Sequence, residues 1–322
     1  MKKKATSFTL LLLLTLLVAL LTNEALACTR EDFDKAVMAG SGKQIIYIGP
    51  DGTIDPAAAP IQRDGNTYTF TDDIYAPIVI DKAKITIDGA GYTICGPYNG
   101  TRTDLPIFNG TATDTSLAHW SVGIDFAKET VEGLTIKNIN IKNFSIGIWL
   151  WTSNNTLTVN AITENILGIL LSAPNNTITS NYLADNEDGI FFGANEPGDL
   201  PTFVTLSRNC FVANLRQLSG CVCVEYNESR DLHTWDDGKV GNYWSDYKGT
   251  DSNGDGIGDA AYIVDVLNKD RYPLMQPAVS QPTPKLKTSL PIEPIAIAIV
   301  LSAIGAAAII GYWKEKKKLL NI

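Results

Sequence analysis

Histidine and methionine are scarce in this 322-residue sequence: His119 and His233 are the only histidines, and Met1, Met38 and Met275 the only methionines. Copper sites draw on imidazole, thioether and thiolate donors, and no close cluster of these residues is present, so the sequence gives copper little support. Basic residues are also in deficit. Lysine and arginine number 26 against 35 acids, a formal net charge of −9. The lysines crowd the two ends, so the middle is more acidic still. A surface of that sign excludes nucleic acid and anionic lipid as electrostatic partners.

The ends read as targeting segments. "MKKK", the leucine-rich run Phe8 to Leu21 and "ALA" at Ala25 to Ala27 have the basic, apolar and small-residue order of a signal peptide, residues 1–27. Cleavage there would leave Cys28 first, although the residues before it fit a lipid-attachment box poorly. Ile295 to Trp313 is an uncharged apolar run long enough to cross a bilayer as a helix. "KEKKK" follows it, which predicts a cytoplasmic basic tail, 314–322, and an exported body. The proline-rich segment 276–294 reads as a stalk. The expected product is a cell-surface protein anchored by one C-terminal span. Sequons at Asn99, Asn109, Asn143, Asn154, Asn175 and Asn227 are glycosylation candidates on such a surface. Five cysteines in an exported chain predict disulfides with one thiol left over. Cys221-Val-Cys223 could set two thiolates on one strand face, but a disulfide or buried thiols suits it better.

The centre of the chain repeats. "SIGIWLWTSNNTLTVNAITEN" is followed by "ILGILLSAPNNTITSNYLADN" and "EDGIFFGANEP", which puts Gly147, Gly168 and Gly189 at a spacing of 21. Asn154 and Asn175, Asn160 and Asn181, and Asn165 and Asn186 keep the same spacing. Short β-prone runs with Asn or Gly at fixed corners predict an all-β fold, a right-handed parallel β-helix of about six coils of ~21 residues. Asparagine suits such corners because it tolerates left-handed backbone and its amide can bond from coil to coil. The expected boundaries are an N-terminal cap region over 28–80, repeats over 81–226 and a C-terminal cap over 227–275.

The run from Asp64 to Gly96, the Asn/Gly coils and the closing "GNYWSDYKGTDSNGDGIGDAAYIVD" resemble archaeal secreted proteins with NosD-type β-helix repeats. These belong to the carbohydrate-binding and sugar-hydrolase solenoids. The resemblance covers about Ile45 to Met275. It implies the solenoid fold, and for the bacterial members periplasmic copper binding.

Alternation points Ile148, Leu150, Ile169, Leu171, Ile190 and Phe192 inward. Asp125, Trp149, Leu170 and Phe191 then form an outward column with Trp151 beside it, a surface for stacking on sugar rings or for contact with a covering segment or subunit. Glu164, Asp185, Glu187 and Asp188 are the nearest acids for polysaccharide chemistry. The combined Asp-Asp and His-Gly signature of polygalacturonase-like hydrolases is missing, as is the Asp-Pro-His of β-helix epimerases, so the acids read as solvated turns. Near the end, Asp251, Asn253, Asp255, Ile257 and Asp259 space oxygen ligands as in the first half of a calcium loop, with Gly256 at the sharp turn. The bidentate glutamate of an EF-hand is replaced by Tyr262, so the ion expected here is structural, fixing the tail that caps the solenoid. The function expected is a binding or scaffold module for glycan or for an envelope or S-layer protein. A lyase, hydrolase or epimerase, or a NosD-like copper-site maturation factor, is the alternative.

Overall fold

The computed structural model describes residues 45–96, 122–193, 201–220 and 233–279. The signal peptide, the apolar run 295–313, the basic tail, most of the stalk, Cys28, Cys221, Cys223, His119, Asn99, Asn109 and Asn227 lie outside them. The described residues form strands and turns without a helix, and none of their elements is a helix long and apolar enough to cross a membrane.

Three sheets carry the fold. Sheet A runs through Ile46–Ile48, Ile78–Ile80, Val122–Phe126, Ile146–Leu150, Leu167–Leu171, Asp188–Phe192 and Arg216–Gly220, all paired in parallel. Sheet B takes the next strand of each turn, such as Thr156–Thr158, and sheet C the one after, such as Ala161–Thr163. The coil strands pair in parallel with their equivalents one turn later, which is the wiring of a parallel β-helix. The winding already includes Ile46–Ile48, which pairs in parallel with Ile78–Ile80. Antiparallel Ile54–Asp55 and Ile61–Asp64 cover the first edges of sheets A and B, which keeps other chains from pairing there.

Each coil sends the same apolar positions inward. Ile148, Leu150, Leu157 and Ile162 of one coil sit under Ile169, Leu171, Ile178 and Leu183 of the next, all fully buried. Between the paired positions Ile146–Leu167 and Ile148–Ile169, Gly147 faces Gly168, and a Cβ on Gly147 would lie 2.6 Å from the Gly168 carbonyl oxygen. Only glycine permits that approach, which explains the 21-residue glycine spacing.

The corners explain the asparagines. Asn154 and Asn175 turn the chain between sheets A and B with φ of 63° and 57°; Val159 and Ser180 do so between B and C, and Glu164 and Asp185 between C and A. The next residue at each corner is a buried asparagine: Asn155 and Asn176, Asn160 and Asn181, Asn165 and Asn186. Corner turning and coil-to-coil bonding are therefore divided between neighbours rather than shared by one residue. In one ladder Asn160 N donates to Asn181 Oδ1, Asn181 N to Asn209 Oδ1 and Asn209 N to Asn242 Oδ1, each at 3.0 Å. The side-chain amides repeat those bonds and also reach the carbonyls of Ile136, Leu157 and Ile178 on the preceding coil.

The ladder ends on a different residue. Asn242 N donates to Asp270 Oδ2 at 2.6 Å, Trp244 Nε1 to the same oxygen at 2.9 Å, and Tyr272 N to Oδ1 at 3.1 Å. Above the last coil Phe211, Trp244 and Tyr262 stack with centroid separations of 4.4 and 4.2 Å and nearly parallel planes.

Candidate functional site

The expected outward row exists as a register. Trp149 pairs with Leu170 and Leu170 with Phe191 across adjacent strands of sheet A, while their inward neighbours are sealed in the core. All three outward side chains are half-buried. Trp151 lies just past the strand end, its ring 6.1 Å from that of Trp149 and tilted by 44°. The two indoles and the Phe191 ring give the row a rigid apolar character suited to stacking.

Asp125 departs from the expectation of a ligand-facing carboxylate. It is 2% exposed, and its Oδ1 accepts from Trp151 Nε1 at 3.0 Å and from Phe126 N at 2.8 Å. Alternation places it outward, but Trp151 comes from the next coil to meet it, and the pair fixes the indole. Asp125 thus positions an aromatic ring instead of meeting a ligand. Sequence patterning could not show this bond, which joins residues 26 apart.

A second polar group on the same sheet was not visible in the sequence. Tyr47 Oη donates to Asp81 Oδ2 at 2.5 Å, and Lys128 Nζ lies 2.6 Å from Asp81 Oδ1. The hydrogen bond to Asp81, then burial, pushes the Tyr47 phenol up to about 12. Burial by itself would raise the Asp81 carboxyl, but the bonds from Lys128 and Tyr47 outweigh it and hold it below its ordinary range.

Of the acids weighed for catalysis, Glu187 is half-buried next to Asp188. Glu164 and Asp185 are exposed corner residues in left-handed backbone, and Glu164 faces Lys142 Nζ at 3.9 Å. Asp188 is buried and held by the Arg216 guanidinium through Nε and, at 2.9 Å, through Nη2. General acid–base work needs two carboxyls in distinct environments around one bond. Glu164 and Asp185 are both exposed, and Asp188 is neutralised by Arg216.

The aspartate-rich loop is tightly folded. Asp251 Oδ1 accepts from Gly254 N at 2.7 Å and Asp255 N at 3.2 Å, and its Oδ2 from Gly256 N at 2.9 Å. Asp255 accepts from Ile257 N at 2.8 Å and from Asn253 Nδ2 at 2.9 Å. Gly254 and Gly256, at φ of 74° and 85°, allow the reversals. Asp259 Oδ2 instead serves Thr250 Oγ1 and the backbone and hydroxyl of Ser252, whose hydrogen bonds lower its pKa.

The fold and these groups can be set beside known proteins. A family model described as periplasmic copper-binding protein (NosD) matches residues 82–249, just over half of the chain. The chain belongs to the NosD family. The match takes in the coils from residue 82 on and the first part of the cap, leaves out the first winding over 46–80, and stops before Asp251. A curated relative, the probable ABC transporter binding protein NosD of Stutzerimonas stutzeri, is 49% identical over 57 residues, 18% of this chain and 12% of that protein. The match therefore spans about an eighth of that relative's length. No solved structure matches the chain.

The copper of the NosD description finds no fit among the described residues. They contain no group of three or more His, Cys, Asp and Glu side chains set to hold a metal ion, the Asp251, Asp255 and Asp259 carboxylates included. The buried His233 ring packs 5.0 Å from Phe192 and edge-on to Trp235. Cys95 is disulfide-bonded, and Cys210 is a buried thiol whose sulfur accepts from Val279 N. These soft donors are spread through the core and cap rather than facing one point.

Proposed function

We propose that this NosD-family protein is an exported, right-handed β-helix held at the membrane by its C-terminal run, and that sheet A binds a glycan. A neighbouring envelope protein is the other partner its surface suits. The reading rests on one observation: the aligned row of Trp149, Leu170 and Phe191, with Trp151 braced by Asp125. A flat sheet offers no deep cavity, but side chains on adjacent strands ~4.8 Å apart, with Leu170 between the Trp149 and Phe191 rings, present an apolar track on which sugar faces can lie. The loop from Asp251 to Asp259 takes calcium in this reading, as a clamp on the cap with no part in chemistry.

The test is glycan-array binding by the full-length protein, with a reducing-end assay on any glycan retained. Trp149→Ala is expected to weaken binding tenfold or more, the scale of an aromatic anchor. A stability loss of about 3 kcal/mol or more, as for a core aromatic, would place the ring in the core and refute the contact role. New reducing ends would replace the binding reading with an enzymatic one.

The family description favours a second reading, delivery or maturation of a copper site. It predicts stoichiometric Cu(I) uptake by the full chain, measured by competition with a chromophoric chelator.

A further inference from the structure

Turn tips are ordinarily built from Gly, Asn, Asp, Ser and Pro, yet the hairpin between Tyr262–Ile263 and Lys269–Asp270 carries Val266 and Leu267 at its tip. Val266 is 91% exposed, Leu267 55% and Ile263, at the hairpin's base, 65%. Six large apolar residues are exposed among the described residues, and these three fall within five positions.

The tip is held out by its own hydrogen bonds. Asp265 Oδ1 accepts from Leu267 N at 2.7 Å and Asn268 N at 2.8 Å, and its Oδ2 accepts from Asn268 Nδ2 at 2.9 Å. Val264 N and Asp265 N both donate to Asn268 O. Asn268 is buried, and its Oδ1 accepts from Trp235 Nε1 at 3.1 Å, which ties the turn to the core of the cap. The one acid at the tip is thus occupied within the turn, and the apolar side chains are left facing outward with no cost of ordering still to meet. Three exposed apolar side chains on one preorganised hairpin make it a candidate contact surface.

The rest of the sequence indicates which contact. After Val279 come fifteen residues, 280–294, rich in proline, and then the uncharged run 295–313. An extended proline-rich spacer rises ~3.1 Å per residue, so 280–294 spans at most about 50 Å. The cap is the last part of the solenoid before that spacer, and a bilayer entered at residue 295 lies within its reach.

We propose that the hairpin carrying Ile263, Val266 and Leu267 docks, tip first, into the lipid surface of the bilayer that takes up residues 295–313. This rests on the anchored reading given above. Branched apolar side chains enter the interfacial zone of a bilayer by the burial of their own surface. The acid excess of the chain selects an electrically neutral, zwitterionic lipid surface over an anionic one.

The test places a benzophenone amino acid at position 266 of the full-length protein in zwitterionic lipid bilayers, and at position 158 on sheet B as the control. Val266 is almost fully exposed, so the probe disturbs no packing. Illumination is expected to give lipid adducts at 266 at tenfold or more the yield at 158. Combining Ile263→Ser with Leu267→Ser should cut the yield at 266 at least fivefold. Adducts at 266 to protein, whether a second copy or another chain, overturn the proposal, and so does a yield no higher than at 158. Carbonate extraction of the same membranes reads the anchor separately. A chain that stays in the membrane without lipid adducts at 266 overturns the hairpin contact alone. A chain that washes out overturns the anchored reading and this proposal with it.

Discussion

Replacing Asn181 with alanine tests the ladder at its centre. Asn181 Oδ1 accepts both the backbone N–H and the side-chain amide of Asn160 at 3.0 Å, and its Nδ2 donates to Leu157 O at 2.9 Å and Asn209 Oδ1 at 3.1 Å. Alanine removes all of these and leaves the Asn160 backbone N–H and the Leu157 carbonyl buried without that partner. An orphaned buried group costs about 1–3 kcal/mol, so the two orphans and the void together are expected to lose roughly 3–6 kcal/mol. At about 2–4 °C per kcal/mol for a domain of this size, the melting temperature should fall by about 6–24 °C in calorimetry. The matched control is Asn154→Gly, at an exposed corner with φ of 63°. Glycine tolerates that backbone, so the control should shift stability by no more than about 1 kcal/mol, with its bond to Glu132 Oε2 the only side-chain contact given up among those described. Equal effects of the two substitutions, or a loss below about 1 kcal/mol at Asn181, would refute the division of labour between the two kinds of asparagine.

Asp270→Ala should strip an acceptor from Asn242 N, Asn242 Nδ2, Trp244 Nε1 and Tyr272 N, four donors at the end of the solenoid. A loss of about 3 kcal/mol or more is expected, with a change in Trp244 fluorescence, and Asp270→Asn should recover part of it; unchanged stability would show that the cap is held by its ring stack alone. Tyr47 keeps its proton to about 12 in the folded state, whereas a free phenol ionises near ~10. Its contribution is therefore complete below ~10 and lost as pH rises through 12, so Tyr47→Phe should flatten the fall in stability between these values, and an unaltered slope would disprove the link. Calcium at millimolar concentration, the range of extracellular modules, should raise the melting temperature. Asp255→Ala should abolish that rise, and calorimetry showing no uptake would leave the loop a turn closed by its own hydrogen bonds.

Much of the architecture was legible because a solenoid writes its geometry as spacing. Gly147, Gly168 and Gly189 mark close backbone approaches, and the inward set from Ile148 to Phe192 follows from alternation alone. The asparagines were legible only in part. In the tandem Asn154-Asn155 the spacing drew attention to the corner residue, while the neighbour bears the ladder bonds. Asn242 and Asp270 could not be read as further rungs, since they sit 33 and 28 residues beyond the preceding rung rather than 21. The candidate site was legible as a row but not in its depth. Alternation gives the side of a sheet a residue faces, and says nothing of what the next coil folds over it, as Trp151 does over Asp125.

The last rung marks where the asparagine ladder stops. Each asparagine of the ladder both receives and hands on a proton donor, so a coil inserted or removed between Asn160 and Asn209 leaves every join chemically identical. The aspartate side chain accepts such bonds and, unlike asparagine, has no amide N–H to hand on. Asp270 therefore behaves as a punctuation mark, and the chain is free to vary the number of coils before it while keeping one terminus. For the track on sheet A this makes reach a countable quantity, changed in steps of one strand spacing, ~4.8 Å, by duplication or loss of a single 21-residue segment.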